Sequence, residues 1–227
     1  MKKCIFFSLM GDYDTLKEPR VITNGWDYIC YTNNKKLKSK NLEIRYIENE
    51  GYNNARLARK VWILNHIYAD GYDLSISTGA QLQVTGNLDK FVKKVLPNDD
   101  SIDMAIPSHL VRDCIYQEAM KVKAKKKDDP KIVDKRMAFY KKDGYPPNNG
   151  LVRCGIMVRK HGRENLIEHC EKWWEQIEKF SHRDQLSFNY VLWKYKLINI
   201  HLFNIRDVRN KWKFFKRFKH KQQLRKK

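Results

Sequence analysis

Residues Ser181 to Lys194 read SHRDQLSFNYVLWK and set an acid and an amide side by side, Asp184 and Gln185, with His182 and Arg183 just before them. A fixed carboxylate beside a carboxamide can bind sugar hydroxyls, accept a proton, or cap a helix. The stretch predicts an amphipathic helix, with Leu186, Phe188, Val191, Leu192 and Tyr195 on its apolar side and the acid-amide pair in its first turn. First-turn side chains point out above the packed face, and the partial positive charge of a helix start keeps Asp184 ionised. A second dense polar group, His109, Arg112, Asp113, Tyr116 and Glu118, follows a short apolar run. Ion pairing within that group competes with chemistry, so spacing alone assigns it neither role.

The elements that must position these groups alternate along the chain. Strands are expected at Cys4–Met10, Asp27–Thr32, Leu42–Ile47, Asp73–Val84 (broken at Thr78-Gly79-Ala80), Asp103–Pro107, Leu151–Arg159 and Leu197–Phe203. Helices are expected over Asn54–Tyr68, over Asn87–Leu96, from Asp129-Pro130 to about Lys142, and through Leu166, Cys170, Trp173, Trp174 and Ile177. This alternation implies an α/β fold with a mostly parallel central sheet, in which ligands sit outside the carboxyl ends of the strands. Thr32-Asn33, Thr78 to Gln81, Ser108-His109 and the Pro146–Gly150 loop fall near such ends.

At 227 residues, 42% of them hydrophobic and 12% aromatic, the chain is long and apolar enough to bury one core. Five scattered cysteines without a CxxC or zinc spacing read as reduced packing thiols, which fits a cytoplasmic setting. The apolar start is too short for a signal-peptide core, and no run is long enough to span a bilayer. A net charge of +20 points to an acidic partner: nucleic acid, an anionic membrane, or a phosphorylated substrate. GxGxxG, Walker A and HExxH patterns are absent.

Six ordered stretches resemble a glycosyltransferase-like family found in bacteria and in plant Golgi proteins: YICYTNN (Tyr28–Asn34), NNARLARKVWILNHIY (Asn53–Tyr68), YDLSISTGAQLQV (Tyr72–Val84), IPSHLVRDCIYQEA (Ile106–Ala119), GYPPNNGLVRCGIMVRKH (Gly144–His161) and SHRDQLSFNYVLWK. The resemblance covers roughly residues 1 to 200 and implies one Rossmann-like domain of GT-A type, drawn at 1–205, with a basic tail over 206–227. It implies hexosyltransferase-like transfer from a UDP- or GDP-sugar to a glycan or lipid-linked acceptor, as in cell-surface polysaccharide synthesis. In that frame Arg56, Arg59 and Lys60 meet the donor diphosphate, Arg by its planar fork and Lys as a point charge. Thr32, Asn33, Thr78, Gly79 and Gln81 complete the donor side, Asp184, Gln185 and Glu118 the reacting centre. His109, Arg112, Asn149, Gly150, His182 and Arg183 line the pocket. A solvent-exposed basic helix face and a strand-ending turn are the competing readings of the first two sets.

GT-A transferases usually hold a divalent metal with aspartates at the end of the central strand, where the ion neutralises the leaving diphosphate. Here the corresponding stretch reads Thr78-Gly79-Ala80-Gln81, so the expected Asp falls at Gly79. That departure leaves three readings: transfer with weak or no dependence on Mn²⁺ or Mg²⁺, donor binding without efficient transfer, or a metal site of another layout. The tail interleaves cations and aromatics, Lys211-Trp212-Lys213-Phe214-Phe215-Lys216-Arg217-Phe218-Lys219, and is expected to act as an interfacial anchor on the anionic inner face of a membrane. No nucleic-acid recognition signature appears, so a nucleic-acid partner is not expected.

Overall fold

A computed structural model describes residues 1–209 and 213–221. The strands are β1 (Lys3–Ser8), β2 (Trp26–Thr32), β3 (Glu43–Tyr46), β4 (Leu74–Gly79), β5 (Leu82–Val84), β6 (Met104–Pro107), β7 (Ile156–Lys160), β8 (Ile200–Phe203) and β9 (Phe215–Arg217), and buried apolar runs make up β1, β2, β4, β6 and β7. The helices are α1 (Asn54–Ile63), α2 (Asn65–Tyr68), α3 (Leu88–Val95), α4 (Ile115–Ala124), α5 (Pro130–Lys142), α6 (Glu164–Lys179), α7 (Phe188–Tyr195) and α8 (Ile205–Arg209). Seven strands form one sheet in the order β3-β2-β1-β4-β7-β6-β8. Six of them run the same way, and β7 alone is antiparallel to its neighbours β4 and β6. The fold is therefore mixed α/β with a mostly parallel sheet, buried on both faces as such sheets are.

One face packs under α1, α6 and α7 through Phe6, Leu57, Val61, Trp173, Phe188 and Val191. The other packs under α3 and α8 through Ile5, Phe7, Phe91, Val158 and Val208. Asn53 caps α1, Asn87 caps α3, and Asp129 caps α5 with Pro130 at its first position, as side-chain oxygens at helix starts do. All five cysteines are free and buried.

Three expectations change. The helix expected over residues 54–68 is two helices, because Leu64 leaves the helical region (φ −82°, ψ 49°). Residues 115–124 form a helix that no capping side chain announces, since its cap is Cys114. Asp184 and Gln185 stand in a separate 3-10 turn, Asp184–Leu186, and α7 starts only at Phe188.

The tail reading is corrected as well. Phe214 and Phe215 are 4% and 0% exposed, and β9 pairs with β5 from Leu82 opposite Arg217 to Val84 opposite Phe215. Both rings pack on Phe91. Burying a ring of this size contributes roughly 2–3 kcal/mol, so a lipid surface would have to exceed what the core already supplies. The same rings cannot also lie among headgroups. Lys211 and Trp212 lie outside the described residues. No described helix is long and apolar enough to cross a membrane.

Candidate functional site

The carboxyl ends of β1, β2, β4 and β6 meet the start of β7 at one edge of the sheet. Over that edge runs the segment Phe180–Ser187 between α6 and α7, which carries the acid-amide pair. Two arginines fix its path. Arg136, fully buried on α5, donates to the carbonyls of Arg183 (2.8 Å), Gln176 (2.6 Å) and Ser181. Arg56 on α1 donates to the carbonyls of Phe180 (2.6 Å) and Ile177. The last carbonyls of a helix lack internal partners and carry partial negative charge, so guanidinium groups suit the end of α6. On the far side Asp128 accepts from His182 N (3.1 Å), His182 Nδ1 (3.0 Å) and Ser181 Oγ. Burial pushes the Asp128 carboxyl upward, but the bonds from His182 and Ser181 outweigh it and hold it well below the usual carboxylate range.

Within the edge, Asp184 is 5% exposed, and its Oδ2 lies 3.0 Å from Arg59 Nε while its Oδ1 accepts from Gln185 N at 2.9 Å. The Arg59 guanidinium also lies 4.7 Å from the Trp62 ring centre. Gln185 Nε2 donates to Val152 O (2.8 Å), and Val152 N donates to Asn189 Oδ1 (3.1 Å). The turn is thereby tied to the strand-like segment that begins at Gly150, where φ of +80° favours glycine and a Cβ would meet Asn189 Nδ2 at 3.2 Å. Arg153 N donates to Pro107 O (2.8 Å) and His109 N to Leu151 O (2.8 Å), which brings Arg153 beside the end of β6. There Arg112 grips the buried Glu118 through Nε (2.8 Å) and Nη2, and Arg112 N donates to His109 Nδ1 (3.0 Å). Burial and then Arg112 lower the His109 pKa, so the ring is neutral at pH 7.

The sequence-derived residues divide accordingly. Asp184, Gln185, Arg59, Arg183, His109, Arg112, Glu118 and Gly150 share this edge. Arg56 is drawn to the end of α6, where both of its terminal nitrogens donate to backbone carbonyls. Lys60 pairs with Glu50 and lies 5.5 Å from the Tyr52 ring centre, toward the flank. Thr32 is fully buried, and its Oγ1 accepts from Asn34 N (3.1 Å), the strand-ending turn that competed with base recognition. Asn33 is taken up by Gly11 N (2.6 Å) and Asn54 Oδ1 (2.8 Å). Thr78 Oγ1 donates to Gly155 O (3.2 Å). Asn149 is exposed and offers its carbonyl to Tyr145 Oη at 3.4 Å. His182 faces Asp128, and Glu118 stands as the counter-ion of Arg112 rather than as a free base.

Sequence reasoning missed Asp128, Arg136 and Arg153. Arg153 lay unremarked inside the GLVRCG stretch. Nothing in the periodicity of residues 130–142 marks Arg136 as interior.

A divalent ion at the end of β4 is not supported by the residues there. The space a Gly79 Cβ would enter holds the Gln81 carboxamide, and among the described residues no three His, Cys, Asp or Glu side chains form a metal-binding group. A hollow of about 240 Å³ lies beside Gln81, lined by Lys17, Phe218, Lys219 and Lys221. A larger one, about 330 Å³, lies at the opposite edge of the sheet between Asp70, Asp73 and His161, away from the polar stretches.

Residues 2–220 match the family model described as TOD1/MUCI70, glycosyltransferase-like domain. No curated protein matches the sequence. Among solved structures, mouse xyloside xylosyltransferase 1 in its apo form is similar at 8% identity and a TM-score of 0.44, over 88% of this chain and 84% of that one.

Proposed function

The chain belongs to the TOD1/MUCI70 glycosyltransferase-like family, and we propose that it transfers a sugar from a UDP- or GDP-sugar to a hydroxyl of a glycan or glycolipid, in cell-surface polysaccharide synthesis. The observation that carries this reading is the convergence of four separated polar stretches on one sheet edge, around the Arg59–Asp184 pair. In such a transfer the bond from the sugar's anomeric carbon to the diphosphate oxygen breaks, and the acceptor oxygen bonds to that carbon. The diphosphate leaves with its negative charge, which preorganised cationic donors stabilise. Asp184 holds Arg59 in the crevice, and Gln185, whose Nε2 is anchored on Val152, leaves its carbonyl oxygen for sugar hydroxyls. The chemistry takes place in a GT-A type arrangement with weak or no dependence on Mn²⁺ or Mg²⁺.

The test is a panel of UDP- and GDP-sugars assayed for nucleotide binding and release with glycan and glycolipid acceptors. Asp184→Asn is expected to lower turnover at least 100-fold while leaving donor affinity within a few-fold. Wild-type turnover in that variant would remove Asp184 from the reacting centre. Donor binding without transfer to any acceptor would favour a silent sugar-binding relative, a reading that the pairing of Glu118 with Arg112 supports. Salt-sensitive binding of single-stranded RNA without any nucleotide-sugar binding would replace the proposal with a nucleic-acid function.

A further inference from the structure

Arg59 and Arg112 each have a carboxylate partner at the crevice, but three further cations there do not. Lys127, Arg153 and Arg183 lie within no ion-pair distance of an Asp or Glu among the described residues. Backbone geometry gathers them. Arg183 immediately precedes the Asp184 turn, and α4 packs on that turn and ends just before Lys127. Lys127 N bonds back to Val122 O (3.0 Å), and Arg153 is set between Val152, which receives Gln185, and Pro107 at the end of β6. Arg183 Nε is out of contact with solvent and has no acceptor. An orphaned buried guanidinium nitrogen costs free energy unless something accepts from it.

The charges register one another. Burial, then Arg183, lowers the pKa of Lys127, a residue exposed on its outer side; burial, then Arg59, lowers that of Arg183; burial, then Arg217, lowers that of Arg153; the Glu118 carboxylate opposes the shift in all three, and Asp184 in Arg183. Arg217 arrives on β9 opposite Leu82, three residues beyond Gly79.

We propose that Lys127, Arg153 and Arg183 form a site that binds a diphosphate group without a metal ion. The guanidinium forks match adjacent phosphate oxygens, and the lysine adds a point charge. The proposal rests on the glycosyltransferase reading only for the identity of the natural anion, which would be the diphosphate of the donor. The site differs from the Arg56, Arg59 and Lys60 set that sequence suggested: Arg56 and Lys60 are held elsewhere, and Arg59 faces Asp184 through Nε.

The test is isothermal titration of the full chain with inorganic pyrophosphate in EDTA, repeated with Mn²⁺. Pyrophosphate is expected to bind in EDTA, and Arg153→Gln and Lys127→Gln are each expected to weaken it about 10- to 100-fold, the loss of one charge-assisted contact. Lys131→Gln, an exposed lysine on α5, is the control and should change affinity less than about 2-fold. A requirement for Mn²⁺, or equal losses in all three variants, overturns the site. Arg183→Gln, checked for folding by circular dichroism, provides the third contact, and unchanged affinity in a folded variant removes Arg183 from it. The two readings fail separately. Metal-free pyrophosphate binding with no nucleotide-sugar recognition sinks the transferase and keeps the site, whereas sugar transfer untouched by Arg153→Gln and Lys127→Gln does the reverse.

Discussion

Arg136→Met is the perturbation whose size follows most directly from the structure. Arg136 is fully buried, and its two terminal nitrogens serve the carbonyls of Gln176, Ser181 and Arg183, with its guanidinium 5.7 Å from the Phe180 ring centre. Hydrogen bonds from a charged donor contribute about 1.5–3 kcal/mol each. Burial opposes this by lowering the Arg136 pKa, because a guanidinium prefers water. Methionine restores the apolar volume but leaves Ser181 O without a donor and Gln176 O and Arg183 O with only their backbone donors, Phe180 N (3.3 Å) and Leu186 N (3.2 Å), and a buried acceptor left unsatisfied costs about 1–3 kcal/mol. For a domain of this length each kcal/mol is about 2–4 °C in Tm, so the variant should melt roughly 5 °C lower. Arg136→Lys, with one ammonium for three acceptors, should fall between. Thermal and urea unfolding followed by tryptophan fluorescence reads the effect. An Arg136→Met protein within about 0.5 kcal/mol of wild type would show that the α6–α7 segment does not depend on this clamp.

Gly86→Ala should loosen the carboxyl-terminal strand, because a Cβ there would overlap the backbone carbonyl of Lys213; limited proteolysis between residues 204 and 221 should speed up, and an unchanged cleavage pattern would refute the contact. Removing the Arg59 charge with Arg59→Gln leaves Asp184 unpaired at 5% exposure and should lower stability by about 2–4 kcal/mol, with an Arg59→Gln/Asp184→Asn double variant recovering part of it in urea unfolding; additive losses would mean that the pair is not coupled. Burial holds the pKa of His161 down to about 4 and of His169 to about 3, against about 6.5 unfolded. Between those values the unfolded chain takes up protons that the native one refuses, so stability is complete above about pH 6.5 and falls by up to ~1.4 kcal/mol per pH unit for each histidine below it. Equal unfolding free energies at pH 7 and pH 5 would contradict this, and His169→Gln should flatten the profile.

The sheet was legible because its strands are apolar runs bounded by Asn, Gly and Pro, and helices with side-chain caps, such as the Asp129-Pro130 start, announced themselves. What local pattern could not show was partner choice over distance. Arg56 and Arg59 sit three apart on one helix and look equivalent in sequence, yet Arg56 caps α6 across 121 residues and Arg59 pairs with Asp184. The aromatic tail shows the same limit from the other side. Phe214 and Phe215 beside lysines carry a surface signature, and only the pocket around Phe91, more than a hundred residues upstream, makes them interior. Arg153 stayed hidden because a cation in a basic chain carries no local mark of lacking a partner.

The pairing of β9 with β5 also orders events during synthesis. His220 Nδ1 lies 2.8 Å from Asp14 Oδ2, and Lys221 N donates to Asp14 Oδ1 at 3.1 Å, so the two ends of the described chain latch together. A nascent polypeptide can assemble β1 to β4 early, but Phe91 keeps an open flank until residues 213–221 have emerged from the ribosome. Closure across some 200 residues makes that step late and sensitive to truncation. Loss of the last strand would leave a greasy seam for chaperones to recognise, well before any question of catalysis arises.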